Sequence, residues 1–447
     1  MSEHWRLSLS EGLSKMEEGA LTATEWVRSL ISRIDACEEQ VKAWVQVDAQ
    51  GALEAAKAID DARSAGEALG PLAGAPYAAK DIFGIRGLKL EAGTGIFEGQ
   101  TAAEDATCVA RLRNAGAIAL GKAVTTPFAQ GDPSIARNPW NIERSPGGSS
   151  SGSAAAVGAG MVPAAFGSQT TGSTLRPAAY CGVPGLKPTY GRIPRTGVIE
   201  VSWNFDHLGV IARTVEDIAK ILEVAAGPDG ADHSAVDDPP PAANQMPRKP
   251  VKIAYLKHLL PLASEEVVEW TERAVSQVKS KGIDVHEVEL PLSMDEINAA
   301  HFIARCVDSA ACHEDLYAAH KDELPPYVRR SMTIGYMAPA VHYVKALRVR
   351  ANFTRKMDDL MERYDLFALP SFDAGPPPWA ESTGGPAMLQ PLTFSGQPAI
   401  TLPLGRGDMN LPLGIQFGAM RCGEEKLLAT AKWFEDEMGW RAEFPEF

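Results

Sequence analysis

No stretch of this 447-residue chain approaches 18 consecutive apolar positions, so no membrane-spanning helix is expected. The first residues, Met1 to Gly12, lack a basic segment leading into an apolar core, and no secretory signal is expected either. Positive charge is in deficit: 43 Lys and Arg stand against 57 Asp and Glu, a formal net charge of −14. That balance excludes the basic stripe on which nucleic-acid binding depends. Six cysteines (Cys37, Cys108, Cys181, Cys306, Cys312, Cys422) are scattered without C-x-x-C spacing. They provide neither a disulfide framework nor a zinc site, and reduced thiols in a cytoplasm are the economical reading. No G-x-G-x-x-G follows a strand-like run, which sets aside a dinucleotide cofactor. Neither cofactor nor metal is expected, and no internal repeat is present.

What is present is an ordinary globular composition, 45% apolar and 22% charged. Apolar residues recur at helical spacing over Leu21 to Cys37, with Thr22 or Thr24 as N-cap candidates, and again over Gly51 to Ala65. Strand-like runs lie at Ala43 to Val47, at Pro71 to Ile82, which would put Lys80 at the end of a buried strand, and at Ala117 to Leu120. After a Pro-rich break at 227–250, a strand over Val251 to Leu256, a helix over Glu265 to Lys281 and a strand from Asp284 follow. The run from Asn298 to Tyr364 reads as ordinary packing helices. This alternation is an α/β pattern.

One stretch, Ser145 to Thr189, is so rich in Gly, Ser, Thr and Ala that backbone groups and hydroxyls must govern its chemistry. Its clusters are Gly147-Gly148-Ser149-Ser150-Ser151-Gly152 and Thr170-Thr171-Gly172-Ser173, joined by the uncharged run Ala154 to Phe166, which reads as a buried helix and a turn at Pro163. Apolar flanks argue against a solvated linker. The pentapeptide Gly148 to Gly152 satisfies the G-x-S-x-G nucleophile-elbow pattern and would name Ser150. That motif requires a preceding strand, and the turn-like Arg137-Asn138-Pro139-Trp140-Asn141 is not one. Cys181 reads as a buried packing residue rather than a nucleophile.

The stretch resembles the amidase signature family, whose pattern runs GGSSGGSA, then a TGGS-type cluster, then PA-x-CG-x-x-GLKPT-x-GR. In that family the serine closing the second cluster is the nucleophile, and a serine 24 positions earlier, on a cis peptide bond, relays its proton to an upstream lysine. Carried over by position, these are Ser173, Ser149 and, within the G-x-P-x-x-x-K-D run from Gly74 to Asp81, Lys80. The resemblance, from about Leu21 to Glu435, implies a single large α/β domain over 1–447: a mixed sheet flanked by helices, with a signature core at about 70–225, a surface loop at 227–250 and a C-terminal half at 251–447. It implies an amidase that cleaves the C–N bond of a small amide through an acyl-enzyme, with an amidotransferase A-type subunit of a tRNA-dependent complex as the alternative. That group keeps TDTGGS-I-R, which this chain does not. The expected partner is a small-molecule amide, with a homodimer left open and membrane attachment not expected.

As general base Lys80 must be neutral, which requires burial to lower its pKa from about 10.4. The expected oxyanion donors are the backbone N–H groups of Thr170, Thr171, Gly172 and Ser173. Nine histidines are present and none lies in the signature stretch; His207, after Asp206, ranks below Lys80 as a base. Two departures stand out: Thr171 replaces a glycine of the second cluster and Ser151 one of the first. If the first of these needed positive φ, threonine would be strained there. Arg176 lies three positions after Ser173, where the common pattern has arginine two positions after. It either clamps a substrate carboxylate or ties the signature loop to a neighbouring carboxylate or carbonyl. A catalytically dead binding protein would have no reason to keep Lys80, Ser149 and Ser173 together.

Overall fold

Strands and helices alternate along the chain, and a computed structural model, which describes residues 3–244 and 246–447, joins its strands into one mixed sheet of eleven. The strands are β1 (Trp44–Val47), β2 (Pro76–Lys80), β3 (Ile118–Ala123), β4 (Ala164–Gln169), β5 (Gly185–Lys187), β6 (His207–Ala212), β7 (Lys252–Tyr255), β8 (Asp284–Glu287), β9 (Leu366–Pro370), β10 (Ala399–Arg406) and β11 (Pro412–Gly418). Their order is β1-β3-β2-β4-β6-β5-β10-β11-β9-β7-β8. Pairing is parallel for β2 with β3 and β4 and for β7 with β8 and β9, and antiparallel elsewhere.

Strands from the first half of the chain thus occupy one side of the sheet and strands from the second half the other. They meet at a seam of three paired positions, where Lys187, Leu186 and Gly185 of β5 oppose Ala399, Ile400 and Thr401 of β10. Residues 226–250, between the halves, carry neither helix nor strand among the described residues. Central strands are buried on both faces, which is why β2, β4, β6 and β11 read as continuous apolar or small-residue runs rather than alternating ones.

The N-cap candidates at the start of the first predicted helix resolve to Thr22. Thr22 caps the helix Ala23–Val41 in a capping box with Glu25, and that helix buries Trp26, Val27, Leu30, Ile34, Cys37 and Val41, spaced mostly by three or four. In the signature stretch the outcome differs from the expected helix from Ala154 with a turn at Pro163. The helix there is Ser151–Gly158, every residue of it buried, and Ala164 to Phe166 belong to β4, hydrogen-bonded to both β2 and β6. Small residues permit the early start: a Cβ on Gly152 would lie 2.2 Å from the Ala43 carbonyl oxygen and 2.4 Å from the Val124 nitrogen.

At the C-terminal end of β2, Asp81 forms a fully buried ion pair of 3.1 Å with Lys122 of β3. The Lys122 ammonium also donates to the Phe83 and Lys89 carbonyls at 2.5 and 2.9 Å, and Asp81 accepts from the Glu91 N–H at 3.1 Å. These contacts pin the strand end from which Lys80 projects.

Candidate active site

The small residues after Arg144 allow a tight turn: Gly147 takes φ +80°, and a Cβ on Gly148 would lie 2.6 Å from the Thr383 methyl. The peptide bond from Gly148 to Ser149 is cis. The Ser149 carbonyl accepts from the Thr126 N–H and the Thr125 hydroxyl, both at 3.2 Å, while the Ser150 N–H donates to the Ser173 carbonyl at 3.1 Å. Ser149 and Ser173, from the two clusters, are thereby drawn together.

Lys80, at the end of β2, is fully buried, and its Nζ lies 2.6 Å from the Ser149 Oγ and 2.8 Å from the Ser168 Oγ of β4. Burial lowers the Lys80 pKa to about 7, against the pull of Asp206, which favours the ammonium. Near neutrality a substantial fraction of the amine is therefore unprotonated. Sequence reasoning does not single out Ser168; its signal is its place as first residue of the Ser168-Gln169-Thr170-Thr171-Gly172-Ser173 cluster.

Ser173 borders a cavity of about 230 Å³ together with Thr170, Thr171 and Gly172. The N–H groups of Thr171, Gly172 and Ser173 donate to no protein acceptor among the described residues. The loop carrying them is braced from the other side. The Thr170 hydroxyl donates to Asp206 at 2.5 Å, the His301 Nε2 donates to the Thr170 carbonyl at 3.0 Å, and the Thr393 hydroxyl donates to the Thr171 carbonyl at 2.8 Å. Gln169 accepts from the N–H groups of Thr174 and Leu175, both at 3.0 Å, and donates to Thr393 at 2.8 Å. Thr171 does not adopt positive φ, so threonine is unstrained at this position. Gly172 packs against Leu389: a Cβ there would lie 2.7 Å from its terminal methyl and oblige that side chain to shift. Ser151, the other departure, is the first residue of the buried helix.

The rival residues lie elsewhere. Ser150 is fully buried beneath Ser168, accepting its N–H at 3.2 Å, and no strand precedes it. His207 on β6 donates from Nδ1 to the Phe205 carbonyl at 2.6 Å, packs edge-on against Tyr190 and does not line the cavity. Burial holds its pKa well below the usual histidine value. Cys181 is buried, and burial pushes its thiol pKa up. Arg176, on the short helix Leu175–Tyr180, lines the cavity, but its guanidinium donates to the Gly148 carbonyl at 2.7 Å, the Gly385 carbonyl at 3.1 Å and the Thr383 hydroxyl at 3.2 Å.

Sequence reasoning passes over three further residues, His301, Arg305 and Tyr327, which it leaves among ordinary packing helices. His301 and Arg305 are four apart on the helix Met294–Cys312, so they share one face. Both are buried, and Arg305 and Tyr327 line the cavity. A His-x-x-x-Arg pair on a buried helical face that also carries Asp308 and Ser309 is the signal available. Among the described residues no group of three or more His, Cys, Asp or Glu is arranged to hold a metal ion, and no helix is long and apolar enough to cross a membrane.

Comparison with known proteins bears on this geometry. A family model described as Amidase matches residues 25–428. The chain is 33% identical, over 485 aligned positions covering 100% of it and 99% of the relative, to the A-type subunit of the Glutamyl-tRNA(Gln) amidotransferase of Roseiflexus castenholzii. Among solved structures, it superposes on the peptide amidase of Stenotrophomonas maltophilia with a TM-score of 0.85 at 26% identity, covering 99% of both chains. With 6-aminohexanoate cyclic dimer hydrolase the TM-score is 0.89 at 25% identity, covering 100% of this chain and 99% of that one.

Proposed function

The chain belongs to the amidase family, enzymes acting on C–N bonds, and from that premise we propose that it hydrolyses a small amide through an acyl-enzyme on Ser173. In this reading the Ser173 hydroxyl attacks the amide carbonyl as its proton passes to the Ser149 oxygen and the Ser149 proton passes to neutral Lys80. The negative charge developing on the carbonyl oxygen is met by the N–H groups of the 170–173 loop. The Lys80 ammonium then returns a proton through Ser149 to the departing nitrogen, the C–N bond breaks, and ammonia or an amine leaves. Water repeats the sequence on the acyl-enzyme, releasing a carboxylic acid and restoring Ser173. Arg176, bonded to the carbonyl that precedes Ser149, acts in this scheme as a positioning residue.

The observation that carries this reading is the buried amine of Lys80, 2.6 Å from the Ser149 hydroxyl and with a pKa of about 7. The test is ammonia release from a panel of simple amides by the purified chain alone, with mass mapping of a sulfonyl fluoride adduct. Release of ammonia with the adduct on Ser173 is expected; an adduct on Ser150 would sink the assignment. The full-length similarity to an amidotransferase component favours a second reading, as the A-type subunit of a tRNA-dependent complex. Amide hydrolysis that arises only after partner chains are added would select it.

A further inference from the structure

The cavity in front of Ser173 holds an imbalance of charge. Fifteen residues line its roughly 230 Å³; two are arginines, Arg176 and Arg305, and none is acidic. Each arginine is only 6% exposed. A buried guanidinium is costly unless compensated: Arg213, 3% exposed, donates to the Trp5, Leu7 and Gly160 carbonyls, and two others are ion-paired. Arg192 pairs with Asp238 at 2.6 Å and Glu424 at 3.5 Å, and Arg195 with Asp232 at 3.2 Å. Arg176 is compensated differently: two carbonyls and a hydroxyl accept its protons, and Asp373 lies near enough to favour its charged form.

Arg305 has no such compensation. Its contacts are all neutral: the Tyr327 hydroxyl at 3.1 Å and, at longer range, the Ser331 hydroxyl at 3.4 Å and the Cys306 sulfur at 3.9 Å. Among the described residues no carboxylate lies within ion-pairing distance of it. The nearby acids are engaged: Asp308, three residues along the same helix, accepts from Ser202, Asn204 and Tyr343, Asp132 from the N–H groups of Tyr327 and Val328, and Asp206 from Thr170, Val201 and Ser202. The guanidinium is nonetheless held in orientation, over the Tyr327 ring at 5.5 Å and the Phe302 ring at 5.7 Å. Tyr327 is fixed in turn, its ring so close to Gly131 that a Cβ there would lie 2.7 Å from it. A planar fork with spare donors, preoriented in the wall of the cavity and without an ion-pair partner, is the chemistry that takes a carboxylate by paired hydrogen bonds.

We infer that Arg305 receives a carboxylate on the acyl portion of the substrate, which makes the substrate class a small amide that also carries an acid group. The inference rests on Ser173 being the nucleophile, since both line one cavity. It shifts substrate recognition from the arginine inside the signature stretch to one on a helix of the second half of the chain.

The experiment compares kcat/KM of full-length wild type, Arg305→Gln and Arg305→Lys on malonamate and succinamate and on their neutral counterparts 3-oxobutanamide and 4-oxopentanamide. Wild type should favour at least one acid over its counterpart by about 100-fold, the range of a charged hydrogen-bonded contact. Arg305→Gln should bring that ratio within about fivefold, the loss falling on KM, and Arg305→Lys should keep about tenfold as a point charge without the fork. No preference in wild type, or an undiminished one in Arg305→Gln, overturns the inference; should Arg305→Gln fail to fold, an undiminished ratio in Arg305→Lys does so. Calorimetry of succinate and malonate binding to Ser173→Ala, with and without Arg305→Lys, separates this from the hydrolytic reading. Arg305-dependent binding by a chain whose wild type cleaves no amide leaves the carboxylate site standing and sinks the acyl-enzyme. Hydrolysis of neutral amides with no binding of either diacid does the reverse.

Discussion

Lys80 accepts a proton only while its amine is neutral, and burial brings its pKa down to about 7. The active form is the deprotonated one, so kcat/KM should rise with pH through an acid limb near that value and level off above it, as read from a pH–rate profile. The Ser168 hydroxyl, 2.8 Å from Nζ, accepts more strongly from an ammonium than from an amine. Ser168→Ala should therefore destabilise the charged form and move that limb to lower pH, while costing about tenfold in rate through lost orientation. Ser173→Ala should abolish turnover, Lys80→Ala and Ser149→Ala should each lower it by about 10³-fold or more, and the double variant should lose little beyond either single one. These three positions are legible because each sits in a contiguous pattern of small residues or a short strand motif. Ser168 is not, because its role depends on β4 lying beside β2, and nothing local to either strand specifies that pairing. The Thr171 departure looks costly only while its φ is unknown.

At the level of elements, the ends of β2 and β3 are fastened by the Asp81–Lys122 pair, in which burial pushes each partner toward its neutral form. Lys122→Met would strand the Asp81 carboxylate in the interior and should cost about 3–5 kcal/mol in chemical denaturation, with Asp81→Asn in the same chain recovering part of it. The helix Met294–Cys312 delivers His301 to the Thr170 carbonyl, and burial lowers the His301 pKa to about 3, so the ring remains a neutral donor at working pH. Gln390 donates to its Nδ1 at 3.0 Å, which places the His301 proton on Nε2. His301→Ala should lower kcat by about tenfold with a smaller change in KM, and His301→Gln, which keeps an N–H donor, should restore part of it. Helix and strand types are readable from period and caps, as over Leu21 to Cys37 with its cap at Thr22. The helix Ser151–Gly158 begins before the expected Ala154 because its residues are buried all round and leave no periodic stripe to count.

Across the whole molecule, the sheet is two sequence halves joined at β5 and β10, and the candidate site draws on both. Lys80, Ser149, Ser168 and Ser173 come from the first half; His301, Arg305, Tyr327, Gly385 and Thr393 come from the second. A protease site placed at the exposed Pro239-Pro240 pair and cut in the folded protein should leave the halves together in gel filtration and turnover unchanged, because the described residues of 226–250 contribute no strand to the sheet. Separation of the halves in denaturant should end activity, and rejoining them should restore it. The sheet order is beyond sequence reading, since β4, β5 and β6 are neighbours out of chain order.

The seam has a temporal meaning as well. A ribosome emits Lys80, Ser149 and Ser173 well before His301, Arg305 and Thr393, so for part of its synthesis the chain carries its proposed nucleophile without the brace on the 170–173 loop or the guanidinium that lines the same cavity. In the proposed scheme catalytic competence therefore arrives only with the last third of the polypeptide, and a chain truncated before it should be an unarmed one.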